Sequence, residues 1–166
     1  MPQMTRLDHI SLAAHDPMRM AAFYRDLLGM RVLWQLPENA GVFLAAAGRR
    51  NGFDFSFFRA PATPPQQDQS VAADKRTITS PHIALVVASL ADLRACHREV
   101  ARLGGFYLFG VNHGVAISCH LLDPEGNQIE VAWPTGREIG ERPVTAPIDL
   151  SLSEEELLRI VDASRS

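Results

Sequence analysis

The sequence is poor in the features that most quickly place a protein in a class. It has only two cysteines, Cys96 and Cys119. They stand apart rather than as a CxxC pair, so reduced thiols are expected and a disulfide framework is not. Neither sign of charge dominates: the formal net charge is −3, which leaves no electrostatic footprint for nucleic acid or an anionic membrane. No apolar run approaches the roughly 20 residues that span a bilayer; the longest lies around Ile83 to Ala88. The N-terminal MPQMTRLDHI has no apolar h-region of a secretory signal. These absences give the expectation of a cytoplasmic protein with neither nucleic acid nor membrane as partner. What is present is ordinary globular material. The 166 residues are 46% hydrophobic and 21% charged, enough for one compact domain with a sizeable core.

The organisation becomes visible as an internal repeat. LDHISLAAHDPMRMAAFYRDLLGM and SPHIALVVASLADLRACHREVARLGG run in parallel. Each opens with a histidine, His9 or His82, followed by an alternating apolar run that reads as a half-buried strand. At the same offset each then offers a helix N-cap, Asp16 or Ser89, whose oxygen can accept the unpaired N–H groups of a first turn. Pro17 suits the first helical position, and Asp92 completes a weak capping box with Ser89. Gly29 closes the first helix and Gly104-Gly105 the second, as left-handed C-caps. Three short strands follow each helix. They are expected at residues 31–36, 41–46 and 53–58 in the first unit, and at 105–109, 115–122 and 128–133 in the second. The pattern therefore reads as α+β: two βαβββ units, plus a C-terminal helix after Ser153. Unit one is placed at 5–60, a proline-rich linker or flap at 61–79, unit two at 80–134 and a tail at 135–166.

The repeat gives three residues chemical interest. His9 and His82 occupy equivalent first-strand positions. Glu130 sits among apolar residues in Gln128-Ile129-Glu130-Val131-Ala132-Trp133, where an ionised carboxylate needs a cation or a hydrogen-bond network. Two histidines and one carboxylate on one face form the set that suits non-haem Fe(II). Singly, each has a plainer reading as a hydrogen-bonded core residue; jointly, at repeat-equivalent positions, they are candidate ligands.

LDHISLAA, AAFYRDLLGM, PHIALVV and LLDPEGNQIEVAW together resemble the vicinal oxygen chelate superfamily, which includes glyoxalase I, the bleomycin-resistance proteins and the type I extradiol dioxygenases. The resemblance covers about residues 5–134. It implies an α+β fold whose curved mixed sheets form a metal-centred cleft, with His9, His82 and Glu130 as the metal ligands, Fe(II) favoured and Mn(II), Zn(II) or Ni(II) as alternatives. It also implies a small-molecule substrate, and homodimers are common among such relatives.

Within that superfamily the sequence most resembles the extradiol branch. Gly110-Val111-Asn112-His113-Gly114-Val115 resembles the segment whose histidine lines the catechol site, which makes His113 a candidate catalytic residue; its plainer reading is a turn histidine beside glycine. NGFDFSFFRAP resembles another strand of those enzymes, but Phe53 stands where they carry a catalytic histidine, and phenylalanine moves no proton. Their active-site tyrosine has no counterpart; His120 falls near its place and is the candidate substitute. Asp54 follows His9 at nearly the spacing by which Glu130 follows His82. In glyoxalase I relatives the carboxylate there is a ligand and a base. Strand parity lets only one of Phe53 and Asp54 face the site. The resemblance thus implies a metal-dependent extradiol-dioxygenase-like enzyme that cleaves a catechol or vicinal diol with O2. A glyoxalase-type lyase or isomerase, or a metal-free small-ligand-binding protein, is the alternative. His15, His97 and Arg59 read as an exposed loop residue, a packing residue and a solvated arginine.

Overall fold

The computed structural model describes residues 7–61, 82–137 and 145–163. Most of the segment read as a linker or flap lies outside the described residues. The chain divides into two compact units, Met1–Thr77 and Ile78–Ser166.

The first unit runs β1 (Ile10–Ala14), α1 (Pro17–Leu28), β2 (Arg31–Gln35), a short 3-10 turn (Pro37–Asn39), β3 (Gly41–Ala45) and β4 (Phe55–Arg59). Its sheet has the order β1-β4-β3-β2, with β1 parallel to β4 and the other pairs antiparallel. The helix begins where the sequence says it should. Asp16 accepts hydrogen bonds from the Met18 and Arg19 amides, Pro17 follows it, and Gly29 closes the helix at φ 65°. Leu44, Phe55, Phe57 and Val42 bury one sheet face. Tyr24 of α1 lies against Phe55 and Phe57, both at 5.1 Å between ring centroids. Burying several such rings contributes about 2–3 kcal/mol each.

The second unit repeats the plan and extends it: β5 (Ile83–Val86), α2 (Leu90–Glu99), β6 (Phe106–Asn112), β7 (Ala116–Leu122), β8 (Gln128–Pro134), β9 (Ala146–Pro147) and α3 (Glu154–Ala163). The sheet order is β5-β8-β7-β6-β9. Ser89 caps α2 through the Asp92 amide at 3.0 Å and donates from its hydroxyl to the Asp92 carboxylate at 2.6 Å. The regular helix ends at Glu99, and turns carry the chain on to Gly104 at φ 89°. The core face holds Ile117, Cys119, Leu121, Ile129 and Val131 of the sheet against Leu93, Cys96 and Val100.

The fold class is as expected: α+β, two mixed sheets of four and five strands, and a C-terminal helix. The tail adds one strand that the sequence did not announce. β9 pairs with β6 and forms the edge of the sheet, a position that tolerates Pro147 because an edge strand has N–H positions that need no partner. Ile148 and Leu150 then bury behind it, with Leu157 and Val161 of α3. Ser153 and Glu156 form a reciprocal capping box at the start of that helix. Gly110 is what lets the tail come this close: a Cβ there would lie 2.5 Å from the Ile148 carbonyl oxygen.

Candidate metal centre

Strand register decides which side chains share a face. In the second unit Glu130 pairs with Ala84 of β5 on one side and with His120 of β7 on the other. His120 in turn pairs with Phe109 of β6. Cross-strand partners point the same way, so Glu130, His120 and Phe109 share the face opposite the buried Ile129, Val131 and Cys119. Asp123 sets that register. Its carboxylate accepts hydrogen bonds from the Glu125 and Asn127 amides and from the Asn127 side chain. Gly126 turns the chain at φ 86°. The LLDPEGNQIEVAW segment is therefore a tight hairpin whose second arm delivers Glu130 opposite His120.

Glu130 is the hub of the face. Its Oε2 lies 2.7 Å from His82 Nε2, and its Oε1 accepts a 2.5 Å hydrogen bond from the Ser118 hydroxyl. His113 Nε2 and His120 Nε2 stand 3.8 Å and 4.0 Å from the same Oε1. His82 and His120 meet edge to face at 5.3 Å between centroids, and Phe109 stacks on His120 at 4.6 Å. Burial holds the His120 imidazole below the ordinary histidine range, and His82 and His113 push the same way, while Glu130 pulls it upward. His113 sits at the β6–β7 turn, which Asn112 fixes by accepting from the Gly114 amide at 2.8 Å. An open cleft of about 500 Å³ lies beside His82, walled by Ile83, Leu122, Gly126, Asn127 and Gln128.

The donor set fits a divalent ion. One ligand atom from each of His82, His120 and Glu130 lies within 4.8 Å of the others. Imidazole nitrogen with carboxylate oxygen is a mixture that first-row divalent metals accept.

In the first unit, His9 precedes β1. Its Nδ1 is 2.9 Å from Asp8 Oδ2, and its ring lies against Phe53 at 4.4 Å between centroids. Phe53 also meets Phe43 and Trp34 edge on, and Trp34 stacks on Phe43. Register places Trp34 and Phe43 on the same face as Ser56, away from α1. Asp54 goes elsewhere: it accepts from the Ala46 amide at 2.8 Å and from Arg49 at 2.9 Å. Arg59 lies near the Glu38 and Asn39 carbonyls. His97 packs on Tyr107 at 4.5 Å, as a packing residue would.

The structure thus gathers His82, His113, His120 and Glu130 on one face of the second unit, and places His9 and Asp54 in the first. Ser118 was not foreseen. The available signal was parity: it lies two residues before His120 on one strand, and so on the same face.

Residues 6–131 match the family model described as Glyoxalase/Bleomycin resistance protein/Dioxygenase superfamily. No curated protein matches the sequence. Among solved structures, a glyoxalase-related enzyme from Fulvimarina pelagi superposes with a TM-score of 0.56 at 19% identity, over 86% of this chain and 98% of that one. A glyoxylase/bleomycin resistance protein/dioxygenase domain from a Frankia species gives 0.61 at 14% identity, over 82% and 96%. A lactoylglutathione lyase from Agrobacterium tumefaciens gives 0.52 at 20% identity, over 80% and 96%. At these identities the likeness is one of fold.

Proposed function

Because the chain belongs to the glyoxalase/bleomycin resistance protein/dioxygenase superfamily, we propose that it is a metal-dependent enzyme that cleaves a catechol or a related vicinal diol with O2. The observation that carries the metal is the convergence of His82 and His120 on the Glu130 carboxylate. His82, His120 and Glu130 supply the ligand atoms that lie within 4.8 Å of one another. His9, the repeat counterpart of His82, is proposed as a metal ligand in the first unit. A set of two histidines and one carboxylate suits Fe(II). When bound, such an ion supplies the Lewis acidity that favours deprotonation of a diol.

The rest falls to the chain itself. Ser118 holds Oε1 of Glu130 and so orients the carboxylate. His113 faces that same oxygen and is the proposed proton carrier. The helix-free face of the first unit is aromatic, with Trp34, Phe43 and Phe53 in mutual contact and Trp34 48% exposed. Flat rings favour such a surface by stacking. Two observations in the first unit support ring cleavage over a glyoxalase-type proton transfer. Phe53, not Asp54, lies against His9, and both Asp54 oxygens are already accepting hydrogen bonds.

The test is anaerobic loading with Fe(II), followed by O2 and a panel of catechols, read by the yellow ring-cleaved product. Product formation supports the reading. Bound iron with no product from any catechol overturns ring cleavage in favour of a lyase or isomerase. Absence of metal binding overturns the enzyme reading in favour of a ligand-binding protein.

A further inference from the structure

Arg49 is bound more completely than a loop arginine ordinarily is. Its Nη2 donates to Asp8 Oδ1 at 2.9 Å. Nη1 reaches both the Asp8 carbonyl at 3.1 Å and Asp54 Oδ1 at 2.9 Å, and Nε donates to the Asn51 carbonyl at 2.9 Å. All three nitrogens are used, and the side chain is only 13% exposed. The loop is shaped around it. Gly52 has φ 78°, and a Cβ there would lie 3.0 Å from Arg49 Nη2, so glycine answers both the backbone conformation and the space. The other oxygen of Asp8 is 2.9 Å from His9 Nδ1.

We propose that Asp8 is a positioning residue for His9, held in place by Arg49, which Asp54 anchors from the other side. The proposal rests on the reading of His9 as a metal ligand. A carboxylate only accepts hydrogen bonds, so His9 Nδ1 must be the donor. The neutral ring then carries its proton on Nδ1 and leaves the Nε2 lone pair for a metal. A carboxylate that fixes the tautomer and orientation of a ligating histidine in this way raises its basicity. Asp8 and His9 are 58% and 41% exposed, so water would compete for an unanchored contact. The bidentate grip of Arg49 on the Asp8 backbone and side chain is what fixes it. Asp54 acts in this arrangement as the counter-ion of Arg49, which gives a physical reason for its turning from His9 while Phe53 does not.

The experiment uses the full chain, freed of metal, with Co(II) alone as the probe. Calorimetry measures affinity, and the ring ¹⁵N shifts of His9 report its tautomer. His9→Ala should abolish or strongly weaken Co(II) binding. Asp8→Ala should weaken it about ten- to hundredfold, and Asp8→Asn, which keeps an acceptor, by less. In the wild-type protein the His9 proton should lie on Nδ1, and in Asp8→Ala it should move mainly to Nε2. Loss of binding in His9→Ala with wild-type affinity in Asp8→Ala overturns the proposal and leaves the ligand reading intact. A wild-type His9 proton on Nε2 overturns it as well, whatever the variants do. Unchanged affinity in His9→Ala overturns the ligand reading itself.

Discussion

The Phe53 ring lies 4.4 Å from the His9 imidazole, tilted by 39°. An apolar ring beside a proposed ligand orients the imidazole but moves no proton. Phe53→His should therefore add a proton carrier next to His9 and raise the rate of catechol cleavage, by up to about a hundredfold. Single-turnover rates of the Fe(II)-loaded variant check this. A rate at or below the wild-type value, with metal content unchanged, would speak against a part for His9 in the reaction.

Both cysteines lie in the core of the second unit. Burial pushes the Cys96 thiol up to about 11, aided by Asp92, and pushes Cys119 up to about 12, aided by Cys96. The core holds the protonated forms. Their contribution to stability is thus whole below the thiol range of the unfolded chain, near pH 8.5, and is lost as pH rises through 11 to 12. At pH 8 neither thiol should react with a disulfide reagent on the timescale of an exposed cysteine, and both should react once guanidinium unfolds the protein. Prompt labelling of the native protein would contradict the packing of this core.

Gly110 is the seat of the C-terminal segment, since Ile148 donates to its carbonyl at 3.1 Å and a Cβ would collide with the Ile148 oxygen. Gly110→Ala should cost about 1–3 kcal/mol, the usual penalty of overpacking. It should also loosen residues 146–163, read as a lowered Tm and as faster proteolysis confined to the tail. Wild-type values for both would mean that the close approach is not required.

The parts legible in the sequence are those with local causes. Asp16-Pro17 and Ser89 mark helix starts because capping is settled within three residues. The alternation after His9 and His82 marks strands because the pleat has a period of two. Glu130 could be singled out because a carboxylate between Ile129 and Val131 has to find a partner. Long-range choices were not legible. Parity alone would place Asp54 on the face of Ser56, but the regular strand starts only at Phe55. Arg49, reaching across from the preceding loop, claims the Asp54 carboxylate and leaves Phe53 beside His9. No periodicity reports such a charge pair. Ser118 was missed because a strand serine carries no signal until register sets it beside Glu130, and β9 because its two residues lie in a proline-rich stretch.

The most direct test is metal stoichiometry, measured by elemental analysis and by Co(II) titration of the metal-free chain. The wild-type protein should bind one equivalent. Glu130→Ala and His82→Ala should each lose it, while both stay folded by circular dichroism. Wild-type affinity in either variant, or no binding by the wild-type protein, would contradict the account.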